Sequence, residues 1–142
     1  LELPSAQNAI TNSVFRRHLN GRVFCNDPDV FFLREKNLTF TKEQKLLLAK
    51  INNLCGNVLF VSDNAGDYSD EDIELLKKFF KKNECLITSA GFISENEIQV
   101  CYTEGEKKKT LEFNLATGKS NVEKLISRGN HEKNRKILQS KL

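Results

Sequence analysis

Residues 26–34 read NDPDVFFLR and join a polar bend to an apolar strand. Pro28 restricts the residue before it to extended backbone and favours a turn. Residues 30–33 form a continuous apolar run, which is typical of a strand covered on both faces of a parallel sheet. Carboxylates beside a buried strand are costly unless they bind a ligand or are fully hydrogen-bonded. Asp27 and Asp29 are therefore candidate site residues.

The sequence around this stretch alternates predicted strands and helices. In chain order, we predict a helix at 5–18, strands at 22–25 and 30–33, a helix at 41–56 with one apolar stripe, a buried strand at 57–61 and a helix from residue 69. In this last helix, we expect Ile73, Leu76, Phe79 and Phe80 to face inward. Capping-box sequences begin the second and third helices, at Thr41 and Ser69. A strand–helix–strand–helix order with short connections implies parallel strands packed between helices, which is an α/β unit.

The pattern changes after residue 82. Short β-prone segments at 85–89, 97–103 and 110–115, with turns at Gly91 and Gly105 and a hairpin tip at 106–109, predict a small antiparallel region. We divide the chain into an α/β unit over 1–82, a β region over 83–120 and a polar, helical or frayed tail over 121–142. The chain as a whole is predicted to be α+β.

Composition narrows the function classes. The 142 residues suit one domain and are too few for a complete enzyme barrel, which needs about 250 residues. The net charge is only +3, and the last 25 residues contain no aromatic side chain, so we expect no nucleic-acid partner. No apolar run approaches the roughly 20 residues that cross a bilayer, and the first ten residues do not resemble a signal peptide. We expect no membrane partner and a cytoplasmic protein.

Because the sequence contains no methionine, we expect a processed chain or one cut from a longer protein.

Cysteine and histidine spacing indicates no metal site. The four cysteines, Cys25, Cys55, Cys85 and Cys101, lack metal-knuckle or redox-motif spacing, so buried free thiols in a reducing compartment are expected. His18 and His131 have no ligand-spaced partner and are predicted to be ordinary surface or helix-end residues.

From the residues alone, the two aspartates of the bend could form a metal pair, a carboxylate dyad or structural acceptors. Ser62 and Asp63 follow a predicted parallel strand, at the carboxyl end where α/β folds bind ligands. Asn26 and its neighbours share that position if 22–25 is the relevant strand.

The region from about residue 15 to 80 resembles the last quarter of the catalytic barrel of α-galactosidases (melibiases) and related retaining glycosidases. The resemblance rests on FRRHLNGRVFCNDPDVFFLR, LTFTKEQKLLLAKINNLCGNVLFVSD and SDEDIELLKKFF, in this order and spacing. It implies the final βαβα part of a TIM-like barrel, followed by the start of a small β-domain.

The resemblance also implies roles for individual residues. Asp29 would line the sugar pocket and Val30 would touch the sugar, while Asn26 and Asp27 would brace the bend. Ser62 and Asp63 would lie near the pocket rim. The family has a tryptophan before the motif, where Phe24 and Cys25 stand here.

The implied activity is hydrolysis of terminal α-galactosides by a retaining mechanism without metal or cofactor. The two catalytic aspartates of the family would precede Leu1, so we assign no catalytic residue and expect the chain alone to be inactive. Its partner would be a galactose-containing oligosaccharide. Because a quarter barrel leaves strand edges and helix faces uncovered, we expect either self-association of the chain or packing of the β region against the α/β unit. Two alternatives stay open: a self-standing α+β interaction module, and a non-catalytic carbohydrate-binding protein.

Overall fold

A computed structural model describes residues 6–28, 30–81 and 85–127. The elements within these ranges are α1 (Ala6–Phe15), β1 (Val30–Phe31), α2 (Lys42–Cys55), β2 (Phe60–Val61), α3 (Asp70–Phe80), β3 (Cys85–Phe92), β4 (Glu97–Glu104) and β5 (Lys107–Asn114). Residues 122–127 are also helical. Helices and two separate sheets, one parallel and one antiparallel, confirm a mixed α+β class.

Strands β1 and β2 form the parallel pair that the strand–helix–strand order predicted. Val30 pairs with Phe60 and Phe31 with Val61, and α2 connects the two strands. Both strands are only two residues long, so the amide of Ser62 extends the pairing by donating to the carbonyl of Phe31 at 3.0 Å. This pair brings the chain after β1 and the chain after β2 to the same edge.

The predicted antiparallel region is a three-stranded sheet in the order β3–β4–β5. Two details of the prediction were wrong. Gly91 lies within β3, and the turn follows it at residues 93–96. The second hairpin turns at Gly105, where φ is +60°, and the lysines predicted at its tip pair within β5. Cross-strand pairing therefore continues almost to the Gly105 turn.

Helix α2 is the centre of the structure. Its predicted capping box is present: the Thr41 hydroxyl accepts from the Gln44 amide, and the Gln44 side chain accepts from the Thr41 amide. The sequence predicted one apolar stripe, but every residue from Lys45 to Asn53 is buried. The physical reason is that α1, α3, β1 and the antiparallel sheet surround the helix and also cover its polar side chains.

The polar side chains of α2 contact the neighbouring elements. The ammonium of Lys45 donates to the carbonyls of Leu33 and Arg34, both at 3.0 Å. The Asn53 amide donates to the Phe79 carbonyl of α3 at 2.7 Å. The Lys50 ammonium lies 5.2 Å from the centre of the Tyr102 ring. These contacts attach α2 to β1, to α3 and to the sheet, respectively.

The turn after β5 also contacts the start of α2. The side-chain amide of Gln44 donates to the carbonyl of Thr117 at 2.8 Å, and a Glu43 carboxylate oxygen accepts from the backbone amide of Ser120 at 2.6 Å. A Cβ on Gly118 would lie 2.4 Å from the Gln44 side chain, so this close approach requires glycine. The antiparallel sheet is therefore packed against the α/β unit rather than separated from it.

Three expectations for the α/β unit were wrong. Residues 22–25 form a turn and an isolated bridge between Asn20 and Phe24, because the chain folds back on itself here. The strand at 57–61 is not covered on both faces, since Phe60 is 52% exposed. In α3, Phe79 is buried but Phe80 is 45% exposed, although its ring lies 6.0 Å from that of Phe31.

Other predictions agree with the structure only in part. Ser5 lies outside the described residues, and the first helix ends at Phe15, with a short 3-10 turn through His18. Of the cysteines, Cys55 is buried but Cys25 is exposed, because it lies in the turn that replaces the predicted strand. Residues 128–142, with His131, lie outside the described ranges. In the ranges that are described, no helix combines the length and apolar character needed to cross a membrane.

Gly56 tests the contact between the end of α2 and the proline bend. A Cβ at this position would lie 2.7 Å from the Asn52 carbonyl oxygen and 2.7 Å from Pro28 Cγ. We expect Gly56→Ala to lower the free energy of unfolding by about 1–3 kcal/mol, as overpacking does, measured by urea denaturation. Gly91→Ala is the matched control, because nothing lies within 4 Å of its added methyl group. Equal stability of the two variants would contradict the close approach.

Candidate functional site

The carboxyl ends of the two parallel strands are joined by one carboxylate. Asp63 follows β2, and its Oδ2 accepts from the amides of Leu33 at 2.5 Å and Arg34 at 3.1 Å, which follow β1. The same oxygen accepts from the Tyr68 hydroxyl at 2.5 Å, and Oδ1 accepts from the Arg34 guanidinium at 2.7 Å. Asp63 therefore holds the chain after β1 in register with the chain after β2.

The electrostatics of Asp63 follow from these bonds. Its side chain is 0% exposed. Burial by itself raises the pKa of a carboxyl, but the hydrogen bonds from Tyr68, Leu33 and Arg34 outweigh it and lower the pKa of Asp63. Burial and the neighbouring carboxylate raise the pKa of Tyr68 above its usual range. Asp63 is thus an ionised acceptor and Tyr68 a neutral donor at neutral pH.

The Arg34 side chain is held on three sides. One nitrogen, Nη1, donates both to Asp63 and to the backbone carbonyl of Ser62. The guanidinium carbon lies 5.3 Å from the centre of the Phe32 ring. The side chain is still 32% exposed, so it is fixed in place and reachable from solvent.

A cleft of about 440 Å³ opens beside these residues at the carboxyl end of the strands. Arg34, Lys36, Lys42 and Tyr68 line it together with the acidic start of α3, where Glu71 lies. Its volume falls in the range of about 300–1,000 Å³ that is usual for small-molecule sites. Its walls carry charges of both signs, which suits a polar, neutral ligand better than a strongly charged one.

The proline bend lies at the opposite, amino end of the strand pair. The carbonyl of Asn26 accepts from the amide of Asn57, just before β2, at 2.9 Å. The side-chain amide of Asn26 donates to the Cys55 carbonyl at 2.8 Å. The backbone amide of Asn26 donates to the side-chain oxygen of Asn20 at 2.7 Å. Asn26 is buried and joins the bend to the end of α2.

The structure therefore divides the predicted site residues into two groups. Asn26 and the exposed Asp27 precede β1, whereas Ser62 and Asp63 follow β2. Val30 is half-buried in β1, and Asp29 lies outside the described residues. The condition for one shared cluster was a strand at 22–25, and that strand is absent.

Sequence reasoning missed three residues of the cleft as candidates. Arg34 directly follows the apolar run, and a single basic residue at a strand end was the available signal. Tyr68 and Lys45 gave no such signal, because each reaches the site from another element only after folding. Among the described residues, no group of three or more histidine, cysteine or acidic side chains could hold a metal ion. No protein-family model matches the chain.

Asp63→Asn tests whether this carboxylate organises the strand ends. Loss of the charged acceptor weakens the bonds from Leu33 and Arg34, so we expect stability to fall by about 1–3 kcal/mol at pH 7. Asp67→Asn is the control, because that side chain is exposed in the same loop. Chemical denaturation measures both.

The same pair of variants gives a pH test. The pKa of Asp63 is lower in the folded protein than its value of about 3.9 in the unfolded chain. Ionised Asp63 therefore stabilises the fold above about pH 3.9, and this contribution is lost as the pH falls through the folded pKa. The difference between wild type and Asp63→Asn should therefore shrink below about pH 4. A difference that stays constant from pH 7 to pH 2.5 would contradict an ionised Asp63.

Proposed function

We propose that this chain forms the last strand–helix units of the barrel of a retaining glycoside hydrolase that cleaves terminal α-galactosides. The substrate is a galactose-containing oligosaccharide, and the reaction needs no metal or cofactor. The antiparallel sheet is the start of the small β-domain that follows such a barrel. The protein acts in the cytoplasm, without nucleic-acid or membrane partners.

One observation carries the proposal: the parallel β1–α2–β2 unit has a polar cleft at the carboxyl end of its strands. Ligands of α/β barrels bind at this end. The motif blocks that resemble the melibiases lie on this unit, with the Leu33–Arg34 pair at the end of β1 and Ser62 and Asp63 at the end of β2. The position of the cleft supports the proposal, because such a barrel would hold its sugar at this end of the strands. Val30, which the resemblance would place against the sugar, stands at the start of β1 and does not line the cleft, so the support comes from the strand ends at Arg34 and Asp63.

The chain would not supply the bond-breaking carboxylates. Retaining hydrolysis needs two carboxyl groups about 5 Å apart, one to attack and one to protonate. Both oxygens of Asp63 already accept hydrogen bonds, and its lowered pKa makes it a poor acid. Its role is to support the pocket rim. The nucleophile and the acid would lie on other strands of the same protein.

An aryl α-galactoside assay tests the proposal. We expect no turnover by the chain alone, and turnover by the product of the same reading frame when it includes further upstream strands. Turnover by the chain alone would contradict the assignment of catalysis to other strands. Absence of turnover by the longer product would contradict the hydrolase function itself.

The alternative is a self-standing α+β module that binds a partner without catalysis. The observation that favours it is the continuous core: buried residues of α2, of the other helices and of the antiparallel sheet belong to one hydrophobic cluster. The upstream reading frame discriminates the two. Several hundred codons with two further strand-end aspartates would support the hydrolase, and a start codon immediately before Leu1 would support the module.

We propose further that the chain alone self-associates through β2. Phe60 is 52% exposed and Val58, just before the strand, is 37% exposed. Exposed aromatic residues on a sheet favour association. We expect sedimentation velocity to show concentration-dependent dimers that Phe60→Ser reduces. Leu86→Ser, which changes a 68% exposed residue of β3, is the matched control. A monomer at all concentrations would overturn this proposal.

A further inference from the structure

We propose that Arg34 is a substrate-binding residue whose guanidinium donates hydrogen bonds to two neighbouring hydroxyl oxygens of the bound sugar. This inference rests on the proposed function and adds a residue and a type of contact to it. Asp63 and Tyr68 are positioning residues that act through Arg34.

The first support is that Arg34 is held before any ligand arrives. The buried Asp63 carboxylate and the Ser62 carbonyl both accept from Nη1, and the guanidinium carbon lies over the Phe32 ring, 5.3 Å from its centre. Tyr68 donates to Asp63 and so fixes the carboxylate that fixes the arginine. A side chain held in this way loses little conformational entropy when a ligand binds.

The second support is that part of the guanidinium is unused. Nη1 of Arg34 donates both hydrogen bonds of the side chain. Among the residues that the structure describes, Nε and Nη2 of Arg34 have no acceptor. The side chain is 32% exposed and lines the 440 Å³ cleft. The planar guanidinium therefore offers further N–H donors to the cleft, in the fork geometry that suits two adjacent oxygen acceptors.

The third support concerns the ligand. A lone exposed arginine would favour an anion, but Asp63 already neutralises Arg34. The other charged residues that line the cleft are three lysines, Lys36, Lys42 and Lys45, and four acidic residues, Glu35, Asp67, Glu71 and Asp72, so the lining has no excess of positive charge to hold a carboxylate or phosphate. Two adjacent hydroxyl groups of a neutral sugar fit the remaining donors and bring no charge into the cleft.

The experiment uses the full-length protein that contains this sequence. For wild type, Arg34→Lys, Tyr68→Phe and the control Arg22→Lys, we would measure kcat and KM with p-nitrophenyl α-galactoside. Galactose binding would be measured by titration calorimetry. Arg22 is exposed in the turn near the amino end of the strands, away from the cleft. Thermal unfolding of each variant shows that it is folded.

We expect Arg34→Lys to raise KM about tenfold with kcat within about twofold of wild type, because lysine keeps the charge but lacks the planar fork. Tyr68→Phe should give a smaller rise in KM, and Arg22→Lys none. A merely structural Arg34 would lower the melting temperature without this split between KM and kcat.

The outcomes separate the two proposals. If wild type cleaves the substrate and Arg34→Lys matches it in KM, the hydrolase function stands and the role of Arg34 is overturned. If wild type binds galactose without cleaving, weaker binding by Arg34→Lys supports the contact and overturns the hydrolase, whereas equal binding overturns both. If wild type neither cleaves nor binds galactose, both are overturned.

Discussion

The burial of helix α2 is the constraint on which the rest of the structure depends. The helix connects two strands of only two residues each, which could not form a stable pair on their own. Each fully buried leucine or isoleucine of α2 contributes about 1.5–3 kcal/mol, far more than a helix cap. The parallel pair, the packing of the antiparallel sheet and the position of the cleft all follow from the elements that surround this helix.

The polar contacts of α2 fix how the helix is oriented against its neighbours. Lys45 donates its ammonium hydrogens to the carbonyls that follow β1, so the helix orients the same strand end that Asp63 holds from the other side. Arg34 is therefore held by contacts from two parts of the chain: the Lys45 ammonium of α2, and the Ser62 carbonyl and Asp63 carboxylate that follow β2. A side chain held in this way is suited to ligand binding, because it is already ordered and loses little conformational entropy when the ligand binds.

Much of the local structure was predictable because it depends on neighbouring residues. The two capping boxes, the strand–helix–strand order and the Gly105 hairpin depend on residues a few positions apart. The strand predicted at 22–25 failed because a tight turn and a bridge between Asn20 and Phe24 replaced it. The candidate site was predicted in part: Asp63 was identified, but its acceptor role and its partners Arg34 and Tyr68 were not.

The sequence by itself determined the helices, the order of the strands and the presence of polar residues beside them, because these depend on local propensity and periodicity. Only the tertiary structure decided that Asn26 and Asp27 lie at one end of the strand pair and Ser62 and Asp63 at the other. That outcome depends on where each strand begins and pairs: β1 starts at Val30, after the bend, so the bend precedes the strand and Arg34 ends it. Strand register is set by long-range contacts, and no short stretch of sequence contains them.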